Sequence, residues 1–198
     1  MASRLRHGFK AEAERIALEL RAELGLGPAD RLDPRRLAEH LGIPVVALRD
    51  LSGDGAAEGS LARLLAPEVG FSALTVCAGP RRLIVYNQRH APGRRAASLA
   101  HELAHVILDH PAGPVIDQGR ARLWDETLES EADWQAGALL VPREGAVAWL
   151  RRERGPAGGE RHFGVSRALF LWRLHQSGAA RQFGHGSQRL IGLSRARG

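Results

Sequence analysis

Apolar positions near the start of the chain follow the period of an α-helix. Between residues 11 and 24, Ile16, Leu20 and Leu24 form one stripe, while glutamate and arginine occupy many of the other positions. A stripe at this spacing is typical of a helix that packs one face on a core. The pattern therefore predicts an amphipathic helix at the beginning of the fold.

Three later segments have the composition of β-strands. They are apolar or β-branched runs at residues 43–48, 71–78 and 82–87. Gly79 and Pro80 separate the last two, and this turn pair predicts a hairpin. Together with the helical patterns, these runs predict an α+β fold with a small sheet.

Capping residues mark further helices. Asp33 followed by Pro34 predicts a helix start, and Gly42 predicts the end of that helix. Ser166 predicts the cap of a later helix that reaches Leu174. Three more helices are predicted. The first begins after the break at Pro92-Gly93 and ends near 109–111, and the second runs through the acidic segment to about Leu140. The third begins at Pro142 and is followed by a glycine-rich break at 151–161.

The helix after Pro92 carries the chemistry, in the run His101-Glu102-Leu103-Ala104-His105. Histidines at i and i+4 face the same way, so both imidazoles can bind one Zn²⁺ ion. Glu102 lies beside them, which suits a base that takes a proton from the attacking water. Small and apolar neighbours at helical spacing predict that this helix is buried with its histidines facing the fold.

A catalytic zinc site needs a third protein ligand. The downstream acidic segment offers Glu129, which shares a helix face with Asp133 four residues later. Glu129 is ranked first as the ligand, with Glu131 second and Glu126 third. Asp133 is then expected to accept a hydrogen bond from the second nitrogen of a ligand histidine.

Four stretches resemble the ImmA/IrrE family of metallo-endopeptidases. They are residues 32–45, 95–108, 129–133 and 138–142, and the resemblance covers most of residues 11–178. Similar proteins carry the His-Glu helix, then an acid-x-acid-Ala-Asn/Asp helix that closes on Leu-Leu-x-Pro. The resemblance implies a zincin-like α+β fold with a small mixed or antiparallel sheet packed against the motif helix and several other helices.

The resemblance also implies roles for individual residues. His101, His105 and Glu129 match the family's metal ligands, and Glu102 matches its catalytic glutamate. The implied function is a zinc-dependent endopeptidase whose protein substrate is a regulator such as a helix-turn-helix repressor. Manganese or iron would also suit two histidines and one carboxylate.

The length and composition fit one metallopeptidase domain. We expect a flexible N-terminus at 1–10, the domain at 11–178 and a basic flexible tail at 179–198. The single cysteine, Cys77, excludes an internal disulfide framework and a cysteine-based zinc finger. No apolar run is long enough to span a bilayer and no signal peptide is evident, so a cytoplasmic location is expected.

Two alternatives are weighed against the peptidase. The net charge of +6 and the pI near 11 would suit nucleic-acid binding. However, the arginines are spread along the chain, and the helix after Ser166 is too apolar for a DNA groove, so direct nucleic-acid binding is less favoured. The second alternative is a non-catalytic, metal-stabilised regulator or antitoxin-like binding protein. Glu102 argues against it, because a structural site needs no base.

Other histidines carry weaker signals. His110, at the end of the motif helix, is expected to interact with the helix dipole rather than to bind metal. An oxyanion would need a donor, and the sequence does not choose among His162, His175, His185 and Tyr86.

Overall fold

The computed structural model describes residues 5–51, 70–78, 81–111 and 126–183. Within these ranges the chain forms eight α-helices and a three-stranded sheet, so the predicted α+β class is confirmed. The hairpin turn at Gly79-Pro80, most of the loop after the motif helix and His185 lie outside the described residues. No helix in the described ranges combines the length and the apolar character needed to cross a membrane.

The elements follow the predicted order along the chain. The helices are α1 (Phe9–Glu23), α2 (Pro34–His40), α3 (Pro92–Ile107), α4 (Glu126–Leu140), α5 (Arg143–Glu153), α6 (Gly159–Phe163), α7 (Arg167–Gln176) and α8 (Ala179–Phe183). The strands are β1 (Val45–Ala47), β2 (Ala73–Ala78) and β3 (Arg81–Tyr86).

The sheet is mixed and has β3 at its centre. Strand β1 pairs with β3 in parallel and β2 pairs with β3 antiparallel, giving the order β1-β3-β2. Ile84 of β3 faces Val45 on one side and Thr75 on the other. This register places Thr75 in the part of β2 that lies next to α3, which matters for the site described below.

Two of the predicted caps are present. The Asp33 carboxylate accepts a hydrogen bond from the backbone N–H of Arg35 at 3.0 Å, with Pro34 as the first helical residue. Ser166 accepts in the same way from the N–H of Leu169 at 3.1 Å and starts α7. Local side chain to backbone bonds therefore set these two boundaries.

The core consists of two clusters that share helices α3 and α4. One cluster joins these helices to α5–α8, and the other joins them to α1, α2 and the sheet. Alanines on α3 and α4 face the first cluster, where small side chains allow the helices to approach closely. The two helices that carry the predicted metal ligands thus lie at the centre of the fold.

The buried face of α1 differs from the predicted stripe. Phe9, Ala13, Ala17 and Arg21 are the buried residues, whereas Ile16 and its stripe neighbours are only half-buried. The buried stripe is rotated because small side chains let α1 pack closely on the core. Hydropathy alone does not reveal such a contact, since it ranks a large leucine above an alanine.

Two buried arginines hold the C-terminal end of α4. Arg21 donates to the carbonyl oxygen of Leu139 at 2.6 Å, and Arg173 donates to that of Val141 at 3.0 Å. Burial lowers the pKa of Arg21 to about 10, with a partial offset from Asp30, so this arginine remains charged at neutral pH. The arginines satisfy carbonyls that the helix itself leaves unpaired.

Structure also extends past the domain limits predicted from sequence. Helix α1 begins at Phe9, which is fully buried, and α8 lies beyond residue 178 with Ala179 and Ala180 buried in the core. Helix α6 occupies part of the glycine-rich segment predicted as a break. At its first residue, Gly159, a Cβ atom would overlap the ring of Phe170, so a glycine is required where this helix packs on α7.

Candidate metal centre

Helices α3 and α4 bring His101, His105 and Glu129 together. The Nε2 atoms of the two histidines are 3.1 Å apart. The Glu129 carboxylate oxygens lie 3.2 Å from Nε2 of His101 and 3.7 Å from Nε2 of His105. Each of the three side chains is a quarter exposed or less, so the cluster is sheltered but open to solvent.

These separations fit a zinc ion. Ligand atoms about 2.0–2.1 Å from a tetrahedral zinc lie roughly 3.3 Å from one another. The three separations are close to that value, and all three donor atoms lie within 4.8 Å of one another. Two imidazoles and one carboxylate are also the donor types of a catalytic zinc site that keeps one position open.

Asp133 orients the first histidine. Nδ1 of His101 donates to the Asp133 carboxylate at 2.9 Å, which leaves Nε2 to face the cluster. Asp133 lies one helical turn after Glu129 on α4, so the two carboxylates contact the same histidine from one helix face.

The electrostatics of the cluster favour a cation. Burial works against protonation of His101, but its hydrogen bonds to Asp133 and Glu129 outweigh burial and raise its pKa to about 10. Hydrogen bonds from both histidines hold the pKa of the Glu129 carboxyl well below its usual range. A metal ion at this position would replace the proton that His101 otherwise carries.

Glu102 lies beside the ligand cluster and is not part of it. Its side chain is buried, and one carboxylate oxygen accepts a hydrogen bond from the hydroxyl of Thr75 at 2.6 Å. Thr75 comes from β2, so the sheet fixes the orientation of the glutamate. No sequence motif marks Thr75, because its role depends on strand register.

A protein-family model of the IrrE N-terminal-like domain (Peptidase_M78) matches residues 37–175 of the 198. The chain belongs to this family. The matched region contains the whole ligand cluster, Glu102 and the sheet. The family assignment agrees with the resemblance found in the sequence.

A solved structure supports the IrrE-like fold. A Mycobacterium tuberculosis transcriptional regulator is 23% identical to this chain, with a TM-score of 0.55. The similarity covers 88% of this chain and 49% of the regulator, so the chain spans about half the length of that protein. At this identity the similarity concerns the fold alone. A comparison with curated proteins gave no match.

The other two candidates for the third ligand, Glu126 and Glu131, are not part of the ligand cluster. Glu126 is exposed at the start of α4. Glu131 is buried, and its carboxylate contacts Arg6 at 3.1 Å instead of joining the ligand cluster. Among the described residues, the cluster able to hold a metal contains Glu129 as its only carboxylate.

Three candidates for an oxyanion donor lie within the described residues, and none of them is part of the ligand cluster. His162 binds the backbone carbonyl of Ala29 at 2.6 Å and stacks on Trp149, which is a structural role. Tyr86 is buried and bonds Arg35. His175 is exposed on α7.

His110 lies against the ligand cluster, a contact that the sequence analysis did not predict. Its Nδ1 is 2.9 Å from Nδ1 of His105, and its Nε2 is 3.6 Å from the Glu131 carboxylate. Asp109 adopts a left-handed conformation with φ +50°, and the N–H of His110 bonds the carbonyl of His105 at 2.9 Å. This turn folds His110 back under His105. Burial and the nearby His105 both lower the pKa of His110, which favours its neutral form.

We expect His110→Ala to weaken zinc binding by about 10- to 100-fold. When His105 binds a metal through Nε2, its Nδ1 carries the proton and needs an acceptor, which neutral His110 supplies. Zinc dissociation constants from competition with a fluorescent chelator measure the effect. His175→Ala, on an exposed histidine, is the matched control. Equal zinc affinity in the His110 and His175 variants would contradict the role.

Proposed function

We propose that this IrrE-like domain is a zinc-dependent endopeptidase. The observation that carries the proposal is the position of Glu102, a buried carboxylate held by Thr75 next to the ligand cluster but outside it. A site that only stabilised the fold would need ligands and no adjacent base. The separate carboxylate is what hydrolysis requires.

The residues then have distinct roles. Zinc held by His101, His105 and Glu129 would polarise the scissile carbonyl and make a water molecule more acidic. Glu102 would take a proton from the attacking water and pass it to the leaving amine. The hydrogen bond from Thr75 restricts the rotamer of Glu102, so the carboxylate need not reorganise during proton transfer.

The proposed substrate is a regulatory protein, in particular a helix-turn-helix transcriptional repressor. The family resemblance supports this choice, and the structurally similar M. tuberculosis protein is a transcriptional regulator. Because this chain spans about half of that protein, the substrate is inferred and not transferred from it. Cleavage of a repressor would place the enzyme in the cytoplasm, where repressors bind DNA.

Metal content is the first test. We expect about one zinc per chain by mass spectrometry of the purified protein, and less than a tenth of that in His101→Ala, because two donors rarely hold zinc tightly. The control is His40→Ala, which removes an exposed histidine on α2 that pairs with Glu23 outside the cluster. Lack of zinc after incubation with zinc salt would reject the hydrolase and favour the non-catalytic binding protein.

A further inference from the structure

A cavity lies on the opposite face of the motif helix from the proposed metal ligands. Its volume is about 470 Å³, and α2, β3 and the start of α3 form its walls. From α3, the lining residues are Pro92, Arg95, Ala96 and Leu99, which share one helix face. At about 100° per residue, His101 lies roughly 180° around the helix from Pro92. The cavity is therefore separate from the metal site.

Three arginines line this cavity, and each is held by uncharged groups. Arg35 bonds the hydroxyl of Tyr86 and lies 4.9 Å from the centre of its ring. Arg95 donates to the backbone carbonyl of Gln88 at 3.3 Å. The guanidinium of Arg31 packs on Gly164, where a Cβ atom would lie 2.6–2.7 Å from its Cζ and Nη2 atoms.

The cavity carries uncompensated positive charge. Arg31, Arg35 and Arg95 form no ion pair with any carboxylate of the described residues. Asp33 is the one acidic residue among the described residues of the lining, and its carboxylate accepts from the N–H of Arg35 as the cap of α2. Counted over the lining residues that the structure describes, three guanidinium groups and one carboxylate give a formal charge of +2.

We propose that this cavity binds a small phosphomonoester of about the size of a mononucleotide. A phosphomonoester carries close to two negative charges at pH 7, which matches the lining charge. Guanidinium groups bind phosphate through paired N–H donors, and groups already held in place lose little entropy on binding. Leu32, Pro34 and Leu99 supply apolar walls for the organic part, and the volume is within the range of small-molecule sites.

Calorimetric titration with AMP, inorganic phosphate and adenosine tests the proposal. We expect AMP to bind, phosphate to bind more weakly and adenosine to give no measurable heat. Arg31→Gln and Arg95→Gln should each weaken AMP binding at least tenfold, because each removes charge-assisted hydrogen bonds. Arg36→Gln is the matched control, since Arg36 is an exposed neighbour on α2 that does not line the cavity.

Two further measurements distinguish AMP binding in this cavity from binding elsewhere on the protein. AMP binding should persist in His101→Ala, which excludes phosphate binding at a metal and makes the result independent of the peptidase proposal. In the unmutated protein, AMP should shift the amide resonances of Ala96 and Gly164, which flank the cavity. This second readout does not depend on the folding of any variant.

Three results would overturn the proposal. The first is no binding of AMP or phosphate at millimolar concentration. The second is equal weakening by Arg36→Gln and Arg31→Gln, which would indicate general surface charge. The third is tight binding of a short DNA duplex that depends on Arg31 and Arg95 without any binding of AMP, which would make the surface a nucleic-acid contact.

Discussion

Glu102→Gln is expected to lower peptide cleavage by about 10²- to 10⁴-fold while zinc binding is retained. The amide keeps the shape of the side chain and can still accept the hydrogen bond from Thr75, but it cannot take up a proton. Glu102 is not among the donors of the ligand cluster, so the zinc content should stay at the parent value. Single-turnover cleavage of a repressor substrate and mass spectrometry of the metal give both quantities.

Glu126→Gln is the control for this experiment. Glu126 is an exposed glutamate on α4 that lies outside the ligand cluster, so its variant should cleave at the parent rate. Cleavage by Glu102→Gln at the parent rate would remove Glu102 from the mechanism. Loss of zinc together with cleavage would instead make Glu102 a ligand.

Glu14→Ala is expected to lower the free energy of unfolding by about 3–5 kcal/mol. Glu14 pairs with Arg173, whose side chain is fully buried, and its other oxygen accepts from the N–H of Arg143 at 2.8 Å. Burial lowers the pKa of Arg173, with Glu14 opposing that shift. Without the glutamate, a buried cation loses its counter-ion and α5 loses a bond at its first residue. Urea unfolding followed by circular dichroism measures the change.

Two further variants define the cause. Arg173→Met removes the donor to the Val141 carbonyl but should still be less damaging than Glu14→Ala. Methionine fills the space of the arginine stem and leaves no buried charge, and Glu14 is partly exposed and can be hydrated. Glu19→Ala, which breaks an exposed pair on the same helix, should change stability by less than about 1 kcal/mol. Equal losses in the Glu14 and Glu19 variants would show that the buried pair contributes nothing special.

The central part of the candidate site could be proposed from sequence because the geometry within each helix is local. The spacing of His101 and His105 within one helix determines that both face the same way. The same argument on α4 ranked Glu129 above Glu131 and Glu126 and placed Asp133 one turn further on. Only the meeting of the two helices required tertiary structure, and the family resemblance supplied that expectation.

The remainder of the site could not be predicted because it depends on contacts between distant segments. Thr75 reaches Glu102 through the register of the sheet, and Glu131 contacts Arg6 from the other end of the chain. His110 returns to His105 through a left-handed residue, Asp109, where the sequence has no glycine to mark the turn. None of these contacts produces a periodic pattern or a motif in the amino-acid sequence.

Two buried arginines carry no signal in the sequence because charge is a poor guide to position inside a fold. Arginine is usually a surface residue, yet Arg21 and Arg173 are both buried and donate to backbone carbonyls. Their methylene groups pack in the core while the guanidinium groups satisfy the end of a helix. Hydropathy patterns do not distinguish these arginines from exposed ones.

The sharing of α3 and α4 between the two core clusters makes the domain indivisible. A fragment that ends before α3 would leave α1, α2 and the sheet without the side chains that cover them. A fragment that begins at α3 would expose the opposite faces of the same two helices. Neither half is an autonomous folding unit, so a fragment from either side of the motif helix is expected to remain unfolded by itself.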